Sequence, residues 1–116
     1  MAGNFAANNC RVVVTRLTTT TPVVCHTAAG YTQVVGIRVV NIHPTAAPTV
    51  DVMYKPAGSA ITYYYQANYP LPVSTALWYA FDAFGETEND EISVRASIAN
   101  AVDVFVTIVE VPGRSQ

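Results

Sequence analysis

Charge is scarce in this chain. Lys, Arg, Asp and Glu make up 12% of its 116 residues, about half the share of an ordinary soluble domain. The six basic side chains are scattered, with no run or stripe, and the net charge is −2. That removes the electrostatic footprint of nucleic-acid binding. Long apolar runs are missing too: none approaches the ~18 residues of a membrane-spanning helix. Residues 1–9 lack the basic and apolar regions of a secretory signal, so the product is expected to be made in a cytoplasm and to stay there or leave by another route. Cysteine and histidine are nearly absent. Cys10 and Cys25 in a C-x14-C spacing, with His26 and His43 apart, do not form a zinc pattern. Helical periodicity with caps is also lacking.

What remains is a chain that is 51% hydrophobic and rich in β-branched and aromatic residues, which suit pleated, half-buried surfaces. Apolar alternation broken by turn residues at roughly 8–12-residue spacing predicts a sandwich or barrel. The expected fold is all-β, a single antiparallel β-sandwich of jelly-roll or immunoglobulin-like type with seven to eight strands. Residues 1–10 read as a flexible arm, 11–112 as the sandwich and 113–116 as a short tail. Strands are expected over 11–19, with a continuation past Pro22 to His26, and over 31–42, 50–55, 60–67, 77–84, 91–96 and 102–111. Pro22 lacks an N–H and marks an edge or bulge. Gly36 interrupts the most apolar strand and suggests a bulge or a close backbone approach.

Too few charges exist to dress a free surface, which points to part of it being covered by other subunits. The 31–42 and 102–111 strands carry apolar residues on both faces. Val35 and Ile37 with Phe105 and Val109 therefore form the expected interface patch, and Tyr64 and Trp78 are added from an aromatic set that also holds Tyr63, Tyr65, Tyr69 and Tyr79. Three roles stay open for that set: core, subunit interface and carbohydrate contact.

Chemistry finds little support. Adjacent side chains in a strand point to opposite faces, so Cys25 and His26 make a poor thiolate–imidazole pair. The carboxylates Asp51, Asp82 and Asp103 fall one per strand on faces read as wet. No enzyme activity and no cofactor are expected. The acidic turn Glu86, Glu88, Asp90 and Glu91 reads as solvated, with a calcium site or a contact to a basic neighbour as alternatives. For Cys10 and Cys25 three readings stay open: free thiols, a disulfide formed in an oxidising medium, or a metal or catalytic role.

Certain segments carry a resemblance. They are a Gly30-Tyr31 entry, the run Val34-Val35-Gly36-Ile37-Arg38-Val39-Val40-Asn41-Ile42, and Val50-x-Val52-x-Tyr54. Then come Ile61-Thr62-Tyr63-Tyr64-Tyr65, a proline-containing crossover from Tyr69 to Val73, Ile92 to Ser97, and Asn100 to Val111. In these segments the chain resembles a loose family of small β-sandwich virion proteins of tailed bacteriophages. The resemblance implies a structural role on the particle. Foremost is a capsid decoration or cement protein on the capsid exterior, working as a homotrimer or ring with the major capsid protein as partner. A neck or tail-attachment protein with neck or portal partners, or a carbohydrate- or receptor-binding module, is the alternative. The implied location is the virion, after synthesis in the host cytoplasm. The acidic turn replaces a small-residue, Gly-containing turn of such proteins, and the arm to Cys10 has no counterpart in them.

Overall fold

Alternation is cleanest in the last two strands, and the structure shows why. In Glu91–Ala96 every second residue is buried, and in Val102–Glu110 the residues Val102, Val104, Val106 and Ile108 are all fully buried. The structure is a computed structural model and describes residues 10–78, 84–86 and 88–110. Nine strands occur among them: β1 (Cys10–Leu17), β2 (Val23–Thr27), β3 (Thr32–Asn41), β4 (Thr49–Lys55), β5 (Tyr63–Pro70), β6 (Ala76–Trp78), β7 (Phe84–Glu86), β8 (Glu91–Ala96) and β9 (Val102–Glu110). No helix is present among the described residues.

The strands form two antiparallel sheets. The first has the order β1-β9-β3-β6, with β7 also paired to β3; the second has the order β2-β8-β4-β5. β6 pairs with the Arg38–Val40 part of β3 and β7 with the Thr32–Val34 part, so the two share one edge position. Eight strand positions result. The partners are nested: β4 with β5, β3 with β6 and β7, β2 with β8, β1 with β9. A long antiparallel ribbon rolled into two sheets gives this order, which is that of a jelly roll. Of the two expected sandwich types, the strand order selects this one.

The segment read as one strand from 11 to 26 divides between the sheets: β1 lies in the first and β2, just past Pro22, in the second. The proline cannot donate to a ladder and stands where the chain changes sheets. β1 begins at Cys10, one residue before the expected start. Residues 1–9 of the expected arm and the tail from 113 to 116 lie outside the described residues, as does 79–83, the middle of the expected 77–84 strand.

Val34, Ile37, Val39, Val50, Val52, Leu71, Ile92, Val94 and the inward residues of β9 form one core. Each such side chain contributes about 1.5–3 kcal/mol on removal from water. Buried polar groups close the two ends. At one end both Asp90 carboxylate oxygens are used: the Tyr54 hydroxyl donates to one at 2.6 Å and the Ala57 N–H to the other at 2.7 Å. The Asp90 carbonyl accepts the Ala28 N–H at 2.9 Å, and the Ala28 carbonyl accepts the Asn89 N–H at 2.7 Å. Three turns are thus pinned together. The turn at 56–59 has Gly58 at φ 74° and a Ser59 N–H to Pro56 carbonyl bond of 3.0 Å, a geometry that favours glycine at its third position.

At the other end Asn41 is buried, and its amide donates to the carbonyls of Ala46 and Leu71 at 2.9 Å and of Pro72 at 3.2 Å. Its side-chain oxygen accepts the His43 N–H at 2.8 Å. One residue therefore ties β3 to the 42–48 loop and to the β5–β6 crossover. Replacing Asn41 with Ala leaves buried carbonyls unpaired and is expected to cost roughly 2–4 kcal/mol. That should lower the melting temperature by on the order of 10 °C, read by circular dichroism. A change within about 1 °C would mean that water replaces the amide without loss.

Candidate docking face

The outward side of the first sheet follows from register. Val14 lies across from Phe105, Phe105 across from Arg38, and Arg38 across from Trp78, one row over four strands. Beside it run the rows Val12, Thr107 and Gly36, then Arg16, Asp103, Val40 and Ala76. Apolar atoms dominate the centre: Val12, Val14 and Trp78 are 50%, 58% and 60% exposed. Val12 and Trp78, with Ile42, Val40 and Phe105, line a depression of about 550 Å³. The Arg38 guanidinium lies 4.9 Å from the centre of the Trp78 ring, within cation–π range.

Two bidentate ion pairs join β1 to β9. Arg16 donates to the Asp103 carboxylate at 2.7 and 2.9 Å, and Arg11 to that of Glu110 at 3.2 Å twice. The Arg16 hydrogen bonds hold the Asp103 carboxyl below the usual carboxylate range despite partial burial, and Arg11 does the same for Glu110.

The expected interface residues fall in different places. Trp78 and Phe105 share the central row, and Val109 lies further along the same face, across from Cys10 and Gln33. Ile37 lines the depression but is buried. A register shift between Val34 and Gly36 makes β3 bulge at Val35, so the alternation changes phase. Ile37 then points into the core at 2% exposure, while Val35 is half-buried at the bulge. The Gly36 interruption was the available signal. Arg38, Val40, Val12 and Val14 are the face residues that the sequence reading missed. Arg16, at the same parity as Val12 and Val14, is the mark that could have shown which side of β1 faces outward.

Tyr64 stands elsewhere, on β5 at the edge of the second sheet. Of the three roles left open for the aromatic set, core does not hold for its described tyrosines. Tyr63, Tyr64, Tyr65 and Tyr69 are all exposed, because β5 pairs with β4 alone, at the edge of the second sheet. Tyr54, Tyr63, Tyr64 and Tyr65 line a second hollow of about 250 Å³.

Two carboxylates read as solvated are buried. Asp51 is 4% exposed, accepting Arg95 Nε at 2.8 Å and the N–H of Asn68, a residue at φ 50°, at 2.6 Å. It fastens the bulged β4–β5 pairing to β8. Asp90 holds the turns described above; among the described side chains of the acidic turn, Glu88 is exposed. No group of three or more His, Cys, Asp or Glu side chains with metal-holding geometry occurs among the described residues. His43 serves its own loop, its Nδ1 accepting the N–H of Thr45 at 3.1 Å and of Ala46 at 2.9 Å.

The cysteines are both free thiols, so the Cys10–Cys25 disulfide does not form in this structure. Cys10 is exposed at the start of β1, and Cys25 lies in the core. A second bulge, between Val24 and His26, buries both Cys25 and His26. Burial pushes the Cys25 thiol up to about 11, against weaker opposing hydrogen bonds from Thr15 and Val94. It is protonated at neutral pH and unsuited to nucleophilic work.

A search of protein-family models finds none that matches, and no curated protein matches the sequence. Among solved structures, the chain is similar to a chain of one described as "Acidic stable capsid structure of Helicobacter pylori bacteriophage KHP30". The TM-score is 0.61 and the identity 12%, over 90% of this chain and 89% of that one. At that identity the likeness is one of fold.

Two measurements check this geometry. Under native conditions a thiol reagent is expected to modify Cys10 quickly and Cys25 only after unfolding; Cys10→Ser should abolish the fast phase, and a fast phase that survives it would place Cys25 at the surface. Because Asp103 is depressed in the folded state, its ion pair stabilises the fold fully above its unfolded pKa, about 3.9. That stabilisation is lost as pH falls through the lower folded value. The stability difference between the native chain and Asp103→Asn should therefore be constant near neutrality and narrow below about pH 4. Chemical denaturation at each pH reads it, and a gap that persists unchanged in strong acid counts against the pairing.

Proposed function

We propose that this chain is a structural component of a bacteriophage virion, a decoration or cement protein that binds the capsid exterior as a symmetric homo-oligomer. The observation that carries the reading is the likeness in fold, along nearly the whole chain, to a chain of a phage capsid structure. The physical properties agree with it. The buried polar groups Asn41, Asp51 and Asp90 are engaged in holding strands and turns. What the molecule offers outward is apolar and aromatic surface, the material of protein contacts. A modest patch repeated by capsid symmetry would bind tightly in aggregate.

A second reading, contact with carbohydrate at a tail tip, is favoured by the four exposed tyrosines on β5. Quantitative mass spectrometry of purified particles tests the first reading. Copies in the hundreds are expected of a decoration protein. About a dozen or fewer would move the chain to the neck or tail, where closed rings have few subunits. Absence from the particle would overturn a virion role. A glycan ligand that is lost in a folded Tyr64→Ala variant would carry the second reading instead.

A further inference from the structure

We propose that the outer face of the first sheet, centred on Arg38 and Trp78, docks an apolar segment of a different virion protein that presents a carboxylate to Arg38. This rests on the virion reading and names the face and the chemistry of the partner.

The distribution of charge argues for it. Arg11, Arg16 and Arg95 are each bonded to a carboxylate of this chain. Arg38 has no carboxylate partner among the described residues, and its guanidinium rests on the Trp78 ring instead. A guanidinium held over a ring face by cation–π attraction keeps N–H donors for a carboxylate, to which an arginine can donate at two points. Around it lie Val12, Val14, Val40 and Phe105, and the depression of about 550 Å³ has room for several apolar side chains. A cation without a carboxylate partner among the described residues, set in a mostly apolar depression, suits a partner that is apolar with one negative charge.

The same charges disfavour a second copy laid face to face. Such a pair would bring Arg38 toward its own equivalent. The carboxylate on this face, Asp103, already spends both oxygens on Arg16. Among the described residues no carboxylate pairs with Arg38, so the proposed countercharge is the partner's.

The test uses particles assembled with the native chain or with a variant in its place, with circular dichroism on each isolated variant as the folding control. Arg38→Glu and Trp78→Ala are each expected to lower copies per particle by about ten-fold or more, as loss of a central contact does; Arg38→Lys should lower them less. Arg38→Gln, neutral and similar in shape, replaces the Glu variant if that one does not fold. A photoactivatable benzoylphenylalanine placed at position 105 should cross-link to a peptide of another protein that contains Asp or Glu. Reversing that acidic residue to Arg should restore incorporation of Arg38→Glu. Native-level incorporation of folded Arg38→Glu or Arg38→Gln overturns the docking face while leaving the virion reading in place. A cross-link to a second copy of this chain also overturns it. If the native chain itself is absent from particles, the virion reading fails first and this proposal with it.

Discussion

Everything in this fold passes through the pairing of β3 with β9. The two strands come from distant parts of the sequence, yet they pair antiparallel from Thr32 with Glu110 to Asn41 with Val102. β1 adds to one side and β6 and β7 to the other, so the first sheet cannot exist without this ladder. Its inner side supplies much of the core, through Val34, Ile37 and Val39 facing the residues of β9. Its outer side supplies Arg38, Val40 and Phe105 to the proposed docking face. Stability and recognition are thus written on opposite faces of the same backbone.

That sharing makes the bulge at Val35 decisive. Without the extra residue, strict alternation from Val34 would put Ile37 outward and Arg38 inward. A buried, unpaired guanidinium is far too costly to keep. The bulge resets the phase so that both Val34 and Ile37 reach the core, and it leaves Gly36 near the Trp78 indole, where a Cβ would stand 3.8 Å from Nε1. Glycine is not demanded there by space. Its part is to make an irregular strand easy to form.

The sequence was informative wherever a pattern of period two runs unbroken. β8 and β9 alternate without interruption, and their inward and outward residues are legible from composition alone. β4 defeats the rule. Asp51 and Met53 have the parity of a wet face and yet are buried, because β5 folds against β4 and Arg95 covers the carboxylate. β5 defeats it in the opposite sense, with tyrosines exposed at both parities on a sheet edge. Whether a strand is central or at an edge is a property of topology, and local pattern does not encode it. The same holds for Asn41 and Asp90. Each reads as an ordinary turn-flanking polar residue until the strand order brings a distant turn or crossover to its side chain.

Edge strands expose unpaired backbone donors and acceptors, and proteins that stay single usually guard them with charge. β1 is guarded in this way, with Arg11 and Arg16 held to β9 by ion pairs. β5, with the sequence YYYQANYP, has no charged residue. A chain this poor in charge places none on β5, one edge of the second sheet, and among the described residues gives Arg38 no carboxylate partner beside an exposed tryptophan. Both features impose a cost in solubility on an isolated molecule, and both become favourable once a partner covers them. The distribution of the few charges, more than their number, is therefore the physical argument for the proposal that this sandwich is covered by a partner.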